Sequence, residues 1–182
     1  MGPLHVSFSG GDTGGWDVEQ IAAVRGDPLA AVPRLAVLEG LNEQLPDDAT
    51  WVLRGVTSNE RYTSRAEQAA LKANSPPIGR ADATAAALIP VQKSPEWWDL
   101  AQDERRAIFE ESSRHIARSM AYLPRVARRL HHGRDLGEPF DFLTWFEYSP
   151  EHAAAFEELV GQLRSTEEWS HVTREVDIRL RR

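Results

Sequence analysis

The chain has 182 residues, a formal net charge of -7 and no cysteine. Without cysteine there is no disulfide framework, no thiolate metal site and no cysteine nucleophile, and the negative balance opposes a polyanion as the main partner. With 41% hydrophobic and 27% charged residues, it can bury a core, and no stretch is long and apolar enough to span a bilayer.

The start, MGPLHVSFSGG, has no basic stretch followed by an apolar run, which predicts a cytoplasmic protein without a signal peptide. Residues 4–9 (LHVSFS) alternate and predict a strand. SGGDTGG is a Gly-rich turn without the Gly-Lys-Ser/Thr of a phosphate loop. Residues 16–45 carry only a weak pattern. ATWVLRGVTS, 49–58, predicts a strand, and Ser64-Arg-Ala-Glu67 is a capping box opening a helix that stops before Ser75-Pro76-Pro77. A strand is predicted over 84–93 and a short helix from Ser94-Pro95-Glu96 carrying Trp97 and Trp98.

A single longer helix is predicted from about Asp103 to Ala121. At 100° per residue, Ile108, Phe109, Ser112, His115, Ile116, Ser119 and Met120 form one stripe, while Arg114 and Arg118 lie opposite beside Glu110 and Glu111, where i,i+4 pairing accounts for them. Residues 124–132 predict a strand with Val126, Arg128, Leu130 and His132 on one face and Arg125, Ala127, Arg129 and His131 on the other. After a turn at 133–139, Phe140–Tyr148 is its partner. Ser149-Pro150-Glu151 opens a helix to about Arg164, and HVTREVDIRL is the last strand. Strand, helix, strand, strand, helix, strand is the ferredoxin-like split βαβ plan, with the first half a shortened copy. The expectation is an α+β protein of antiparallel sheets or a dimeric α+β barrel with flanking helices. It is one structural unit divided into an N-terminal half, 1–93, and a C-terminal half, 94–182.

The stretch 114–134, RHIARSMAYLPRVARRLHHGR, holds six arginines, three histidines and no acidic residue. His115 on its stripe is either a satisfied structural histidine or a ligand. Arg128 is either a cation facing an apolar wall, where something anionic must meet it, or, with a register slip, an outward charge with Arg129 inward. No His-Glu-x-x-His or Ser-His-Asp arrangement is present, and Glu167-Glu168-Trp169 falls at a junction where carboxylates are usually solvated. An apolar pocket with one histidine, one arginine and many aromatics suits a buried haem.

Three runs carry a resemblance: WVLRGVTSNERYTSRAE, ALIPVQKSPEWWDLAQDERRAIFEESSRHI and YLPRVARRLHHGRDLGEPFDFLTWFEYSPEH. Together they resemble the chlorite dismutase family, most of all its short, dimeric branch, over nearly the whole chain and most firmly from Trp51 onward. The resemblance implies haem b in the C-terminal half, with His115 as the proximal iron ligand and Arg128 as the distal catalytic residue. Glu168, or Glu167, would be the carboxylate hydrogen-bonded to the ligand. It implies further cofactor contacts from Asn59, Tyr62, Ile89, Lys93, Trp97 and Trp98, and a distal wall of Leu130, Thr144 and Phe146. It implies conversion of chlorite to chloride and dioxygen by a homodimer that takes a small anion and neither nucleic acid nor membrane. One departure stands out: some members of the short branch carry Gln before the Pro-Pro pair, and this chain has Ser75, which puts the orientation of Arg128 in doubt. Two alternatives stay open. One is a related haem enzyme, either a peroxidase, for which no distal histidine is evident, or a coprohaem decarboxylase, which lacks the distal arginine. The other is a non-catalytic haem- or nucleic-acid-binding module using the 114–134 island.

Overall fold

The computed structural model describes residues 3–41, 43–57 and 63–182. Its strands are β1 (His5–Gly11), β2 (Trp16–Arg25), β3 (Arg34–Glu39), β4 (Trp51–Thr57), β5 (Ala85–Lys93), β6 (Val126–His132), β7 (Phe142–Tyr148) and β8 (Val172–Arg181). Its α-helices are α1 (Arg65–Asn74), α2 (Pro95–Asp99), α3 (Gln102–Arg106), α4 (His115–Met120), α5 (Ala153–Arg164) and α6 (Glu167–Ser170). The strands close into a barrel in the order β1-β3-β2-β8-β5-β7-β6-β4. In each half the first strand lies between the third and fourth, which is the ferredoxin-like order. The first half is the shortened one: a tight turn joins β1 to β2, and among the described residues no helix joins β3 to β4.

Two closures make the barrel. β2 pairs along most of β8, whereas β4 and β6 meet only at Val56↔His132 and Thr57↔His131. Gly55 permits that approach, because a Cβ there would lie 2.7 Å from the His131 Cβ. Alternation then divides each strand between two cores. Phe8, Trp16, Leu35, Leu143, Trp145 and Ile178 fill the barrel interior. Ile89, Val91, Phe146 and Val172 face outward against Phe156, Leu159, Val160 and Leu163 of α5.

Three expectations change. The division between halves falls between β4 and β5 rather than at 93/94, because β5 pairs with β7 and β8 and so completes the second sheet. The weak pattern of residues 16–45 conceals β2 and β3: β2 bulges at Val18/Gln20 and Ala23/Arg25, and each bulge resets its alternation. The helix expected over 103–121 is broken. α3 runs into a π-helical stretch, Ala107–Ser112, and Arg114 adopts a left-handed conformation (φ 54°, ψ 39°) before α4 begins at His115. Glu110 accounts for the new start, its carboxylate accepting the N–H groups of Ile116 (2.6 Å) and Ala117 (3.2 Å). It therefore serves as a cap rather than an i,i+4 partner, and Arg118 donates to the Ser113 carbonyl oxygen. The capping box at Ser64 and Glu67 is present as expected.

Candidate functional site

Where the outer face of the second half meets the helices lies a cleft of about 1110 Å³, counting its open mouth. β5 supplies Ile89, Val91 and Lys93; β6 supplies Arg128, Leu130 and His132; β7 supplies Phe142, Thr144 and Phe146. These are every second residue along neighbouring antiparallel strands, with Arg128 opposite Phe146, and Leu130 opposite Thr144. The face assignment of β6 therefore holds. Arg128 lies on the cleft side, and Arg129 lies on the other, paired with Glu39 (2.5 Å) and donating to His131 Nε2 (3.1 Å).

His115, the first residue of α4, lines the same cleft. Its Nδ1–H donates to Glu168 Oε2 at 2.7 Å, which leaves Nε2 as the nitrogen available to a ligand. Phe109 stacks on the imidazole at 4.5 Å between ring centres. Glu168 is 5% exposed, and its Oε1 accepts from Lys93 Nζ at 2.8 Å. Burial works to raise the Glu168 pKa, but its contacts with His115 and Lys93 outweigh it and hold it at about 2. Glu167 does not reach the histidine; it is exposed and accepts from the Ser112 hydroxyl. The Lys93 ammonium lies 4.5 Å from the centre of the Trp97 ring, so Trp97 is both cleft wall and cation–π partner.

The remaining expected residues divide. Trp98 is not part of the lining: it stacks on Phe142 at 5.9 Å and donates to Asp141 Oδ2 at 3.4 Å. Asn59 and Tyr62 lie outside the described residues. Ser75 ends α1 through its backbone N–H to the Leu71 carbonyl oxygen, with its side chain exposed. Residues the sequence reading left aside also line the cleft, among them Leu159, Val160 and Leu163 of α5, together with Trp169 and Glu175. The apolar spacing of α5 shows a buried face but not what it covers. Trp169 and Glu175 are joined only by the fold, with nothing in their spacing to mark a pair.

The basic island disperses over several sites. Arg114 is exposed, Arg118 and Arg125 donate to carbonyl oxygens of their own segment, Arg134 pairs with Asp141, and Arg128 turns into the cleft. Among the described residues no three His, Cys, Asp or Glu side chains gather as a cage for a bare ion. The donor set suits a flat, largely apolar ligand that takes a single imidazole nitrogen from the protein.

Two ferredoxin-like halves closed into a barrel, with a carboxylate-tethered histidine in an outer cleft of the second half, define an α+β barrel protein with a candidate ligand pocket on its outer face. The chain belongs to the chlorite dismutase family, whose model matches residues 41–181. Over 123 residues it is 31% identical to the chlorite dismutase of Ideonella dechloratans, a match covering 66% of this chain and 42% of that protein; the chain thus spans less than half of that relative's length. It is 56% identical to a dimeric chlorite dismutase from Nitrobacter winogradskyi of known structure, with a TM-score of 0.89 over 97% of this chain and 99% of the other. The chlorite dismutase of Candidatus Nitrospira defluvii, solved in complex with imidazole, shares the fold at 20% identity, with a TM-score of 0.66 over 98% of this chain and 91% of that one.

Proposed function

We propose that this chain is a haem b-dependent chlorite dismutase, which converts chlorite to chloride and dioxygen and works as a homodimer. The observation that carries the reading is a single apolar cleft lined by both His115, tethered to Glu168, and Arg128. The family match and the 56% identical relative, itself a dimeric chlorite dismutase, support the same activity and assembly.

His115 Nε2 would bind the iron. Glu168 holds the imidazole in the tautomer with the proton on Nδ1, and its charge makes Nε2 a stronger donor. Lys93 fixes the second oxygen of that carboxylate, so the tether cannot rotate away. Ile89, Leu130, Thr144 and Phe146 would flank the macrocycle and limit water, with Trp97 closing the wall near Lys93. Asn59 and Tyr62 enter as cofactor contacts on the resemblance alone, and Trp98 supports Phe142 from behind. When bound, the haem would supply the redox chemistry that turns chlorite into chloride and dioxygen. Arg128 carries a permanent charge and a planar fork of donors, so it draws the anion in and holds the chlorine oxyanion until both oxygens have left as dioxygen. Its work is electrostatic and involves no proton transfer.

The test is an oxygen-electrode trace after chlorite is added to haem-loaded protein. One dioxygen and one chloride per chlorite are expected. Haem-loaded protein that consumes no chlorite would overturn the reading.

A further inference from the structure

α6 is a single turn, too short to hold its own shape, yet it carries the carboxylate that tethers His115. Side chains must therefore fix its position. Two tethers come from the segment before α4. Ser113 Oγ accepts the Glu168 N–H at 3.0 Å, and the Ser112 hydroxyl donates to Glu167. Another comes from the barrel wall, where the Trp169 indole N–H donates to Glu175 Oε2 at 2.7 Å.

Glu175 is 1% exposed and sits on β8 between Val91 of β5 and Arg25 of β2. Its Oε1 accepts from Arg164 Nε at 2.8 Å and lies 2.6 Å from Arg164 Nη2. A permanent cation thus fixes the carboxylate, leaving its second oxygen to take the indole proton in a charge-assisted bond. The Trp169 ring is inclined 22° to the His115 ring at 6.4 Å, and its centre is 5.4 Å from Lys93 Nζ. The indole therefore packs beside both partners of the Glu168 carboxylate.

We infer that Glu175 is a positioning residue for the His115–Glu168 pair, acting through Trp169. The inference rests on the haem reading of the cleft insofar as His115 is the iron ligand. With the indole bond lost, α6 keeps its serine tethers, the Arg25 bond to the Trp169 carbonyl oxygen and the Lys93 bond to Glu168, but the indole is no longer fixed against β8. The Glu168 bond to Nδ1 then lengthens as the turn resettles, and the imidazole becomes a weaker donor at Nε2.

The experiment compares wild type with Trp169→Phe, which keeps an aromatic ring without the N–H, and Glu175→Gln, which keeps an acceptor without the charge. Glu168→Gln is the reference for a weakened tether. The iron–histidine stretching frequency is read in the ferrous haem-loaded protein, and the ¹⁵N shift of His115 Nδ1 in the haem-free protein. Trp169→Phe should lower the frequency in the direction of Glu168→Gln and weaken haem binding about 10-fold, with Glu175→Gln in between. Wild-type values in both readouts for both variants, even with a lowered melting temperature, would reduce the pair to a structural role and overturn the inference. If Glu175→Gln does not fold, Trp169→Phe decides alone. A wild type with no iron–histidine band sinks the haem reading instead. The Nδ1 shift then decides the inference: displaced in Trp169→Phe it supports, unchanged it overturns.

Discussion

Arg128 and Lys93 are both long cations on the wall of one cleft, and their surroundings give them different work. Lys93 is 5% exposed and is held by the Glu168 carboxylate and the Trp97 ring. Its charge is used internally, to keep a buried carboxylate ionised beside an imidazole. Arg128 lines the cleft beside Leu130, Thr144 and Phe146, on the face opposite Arg129, and is half-buried, so its charge bears on an anion that enters. Arg128→Ala should therefore leave haem uptake unchanged and lower kcat for chlorite by about 100-fold, the usual cost of removing one donor aimed at a reacting oxyanion. Arg128→Lys keeps the charge without the planar fork and should fall between the two. Oxygen evolution in the presence of a hypochlorite trap checks both claims. Arg128→Ala at wild-type rate, with nothing trapped, would remove the retention role. The alternation of β6 narrowed the choice to Arg128 or Arg129 but could not choose, because a strand shifted by one residue exchanges its faces. The bond to Glu168 rather than Glu167 was equally out of reach, since four-residue α6 has no periodicity to read.

At the scale of elements, the segment from Gln102 to Met120 differs most from expectation. Its apolar spacing was legible: Phe109, Ile116 and Met120 do pack together, with Leu71 and Leu123. The break was not legible, because no Gly or Pro marks it. Three features produce it: the π-helical stretch, the Glu110 carboxylate capping α4, and Ser113 committed to the Glu168 N–H. Such bulges recur at functional sites, and here the break starts α4 at the residue that faces the cleft. Arg114 bears the local cost, at φ 54° in the left-handed region, where a side chain costs about 1 kcal/mol relative to the right-handed helix. Its side chain is exposed. Arg114→Gly should leave stability unchanged or raise it by up to about 1 kcal/mol, as relief of the Cβ contact offsets the added freedom of the unfolded chain. Arg114→Val should lower it by about 1–2 kcal/mol, because a β-branched residue tolerates that region least. Urea denaturation of the two variants measures both changes. A loss of more than about 1 kcal/mol in Arg114→Gly would show that the side chain, rather than the backbone, holds this turn.

Across the whole molecule the barrel separates two tasks: its outer face carries the cleft, and its interior supplies rigidity. One histidine inside that interior is kept neutral by the fold at pH values where the unfolded chain protonates it. His131 is 0% exposed and packs edge-on against Phe8 at 5.2 Å. Its Nδ1–H donates to the Leu143 carbonyl oxygen at 3.0 Å, and its Nε2 accepts from Arg129 at 3.1 Å, so the neutral ring is fully bonded. Burial, with the charges of Arg129 and His132, pushes its pKa down from 6.5 to about 4. Below pH 6.5 the unfolded chain takes up a proton at this residue that the folded barrel refuses. Stability should therefore fall as pH drops from about 6.5 to about 4, by about 1.4 kcal/mol per unit, and then level off for this group. The carboxylates of Glu67 and Glu168, both held near 2, add their own losses only below about pH 4.5, under most of the His131 window. Between pH 6.5 and pH 5 the wild type should lose about 2 kcal/mol by denaturant titration. His131→Gln, which can still donate to Leu143 but carries no titrating group, should stay nearly flat over the same interval, whatever its stability at pH 7. Parallel curves for the two proteins would place the acid sensitivity elsewhere, outside the barrel interior.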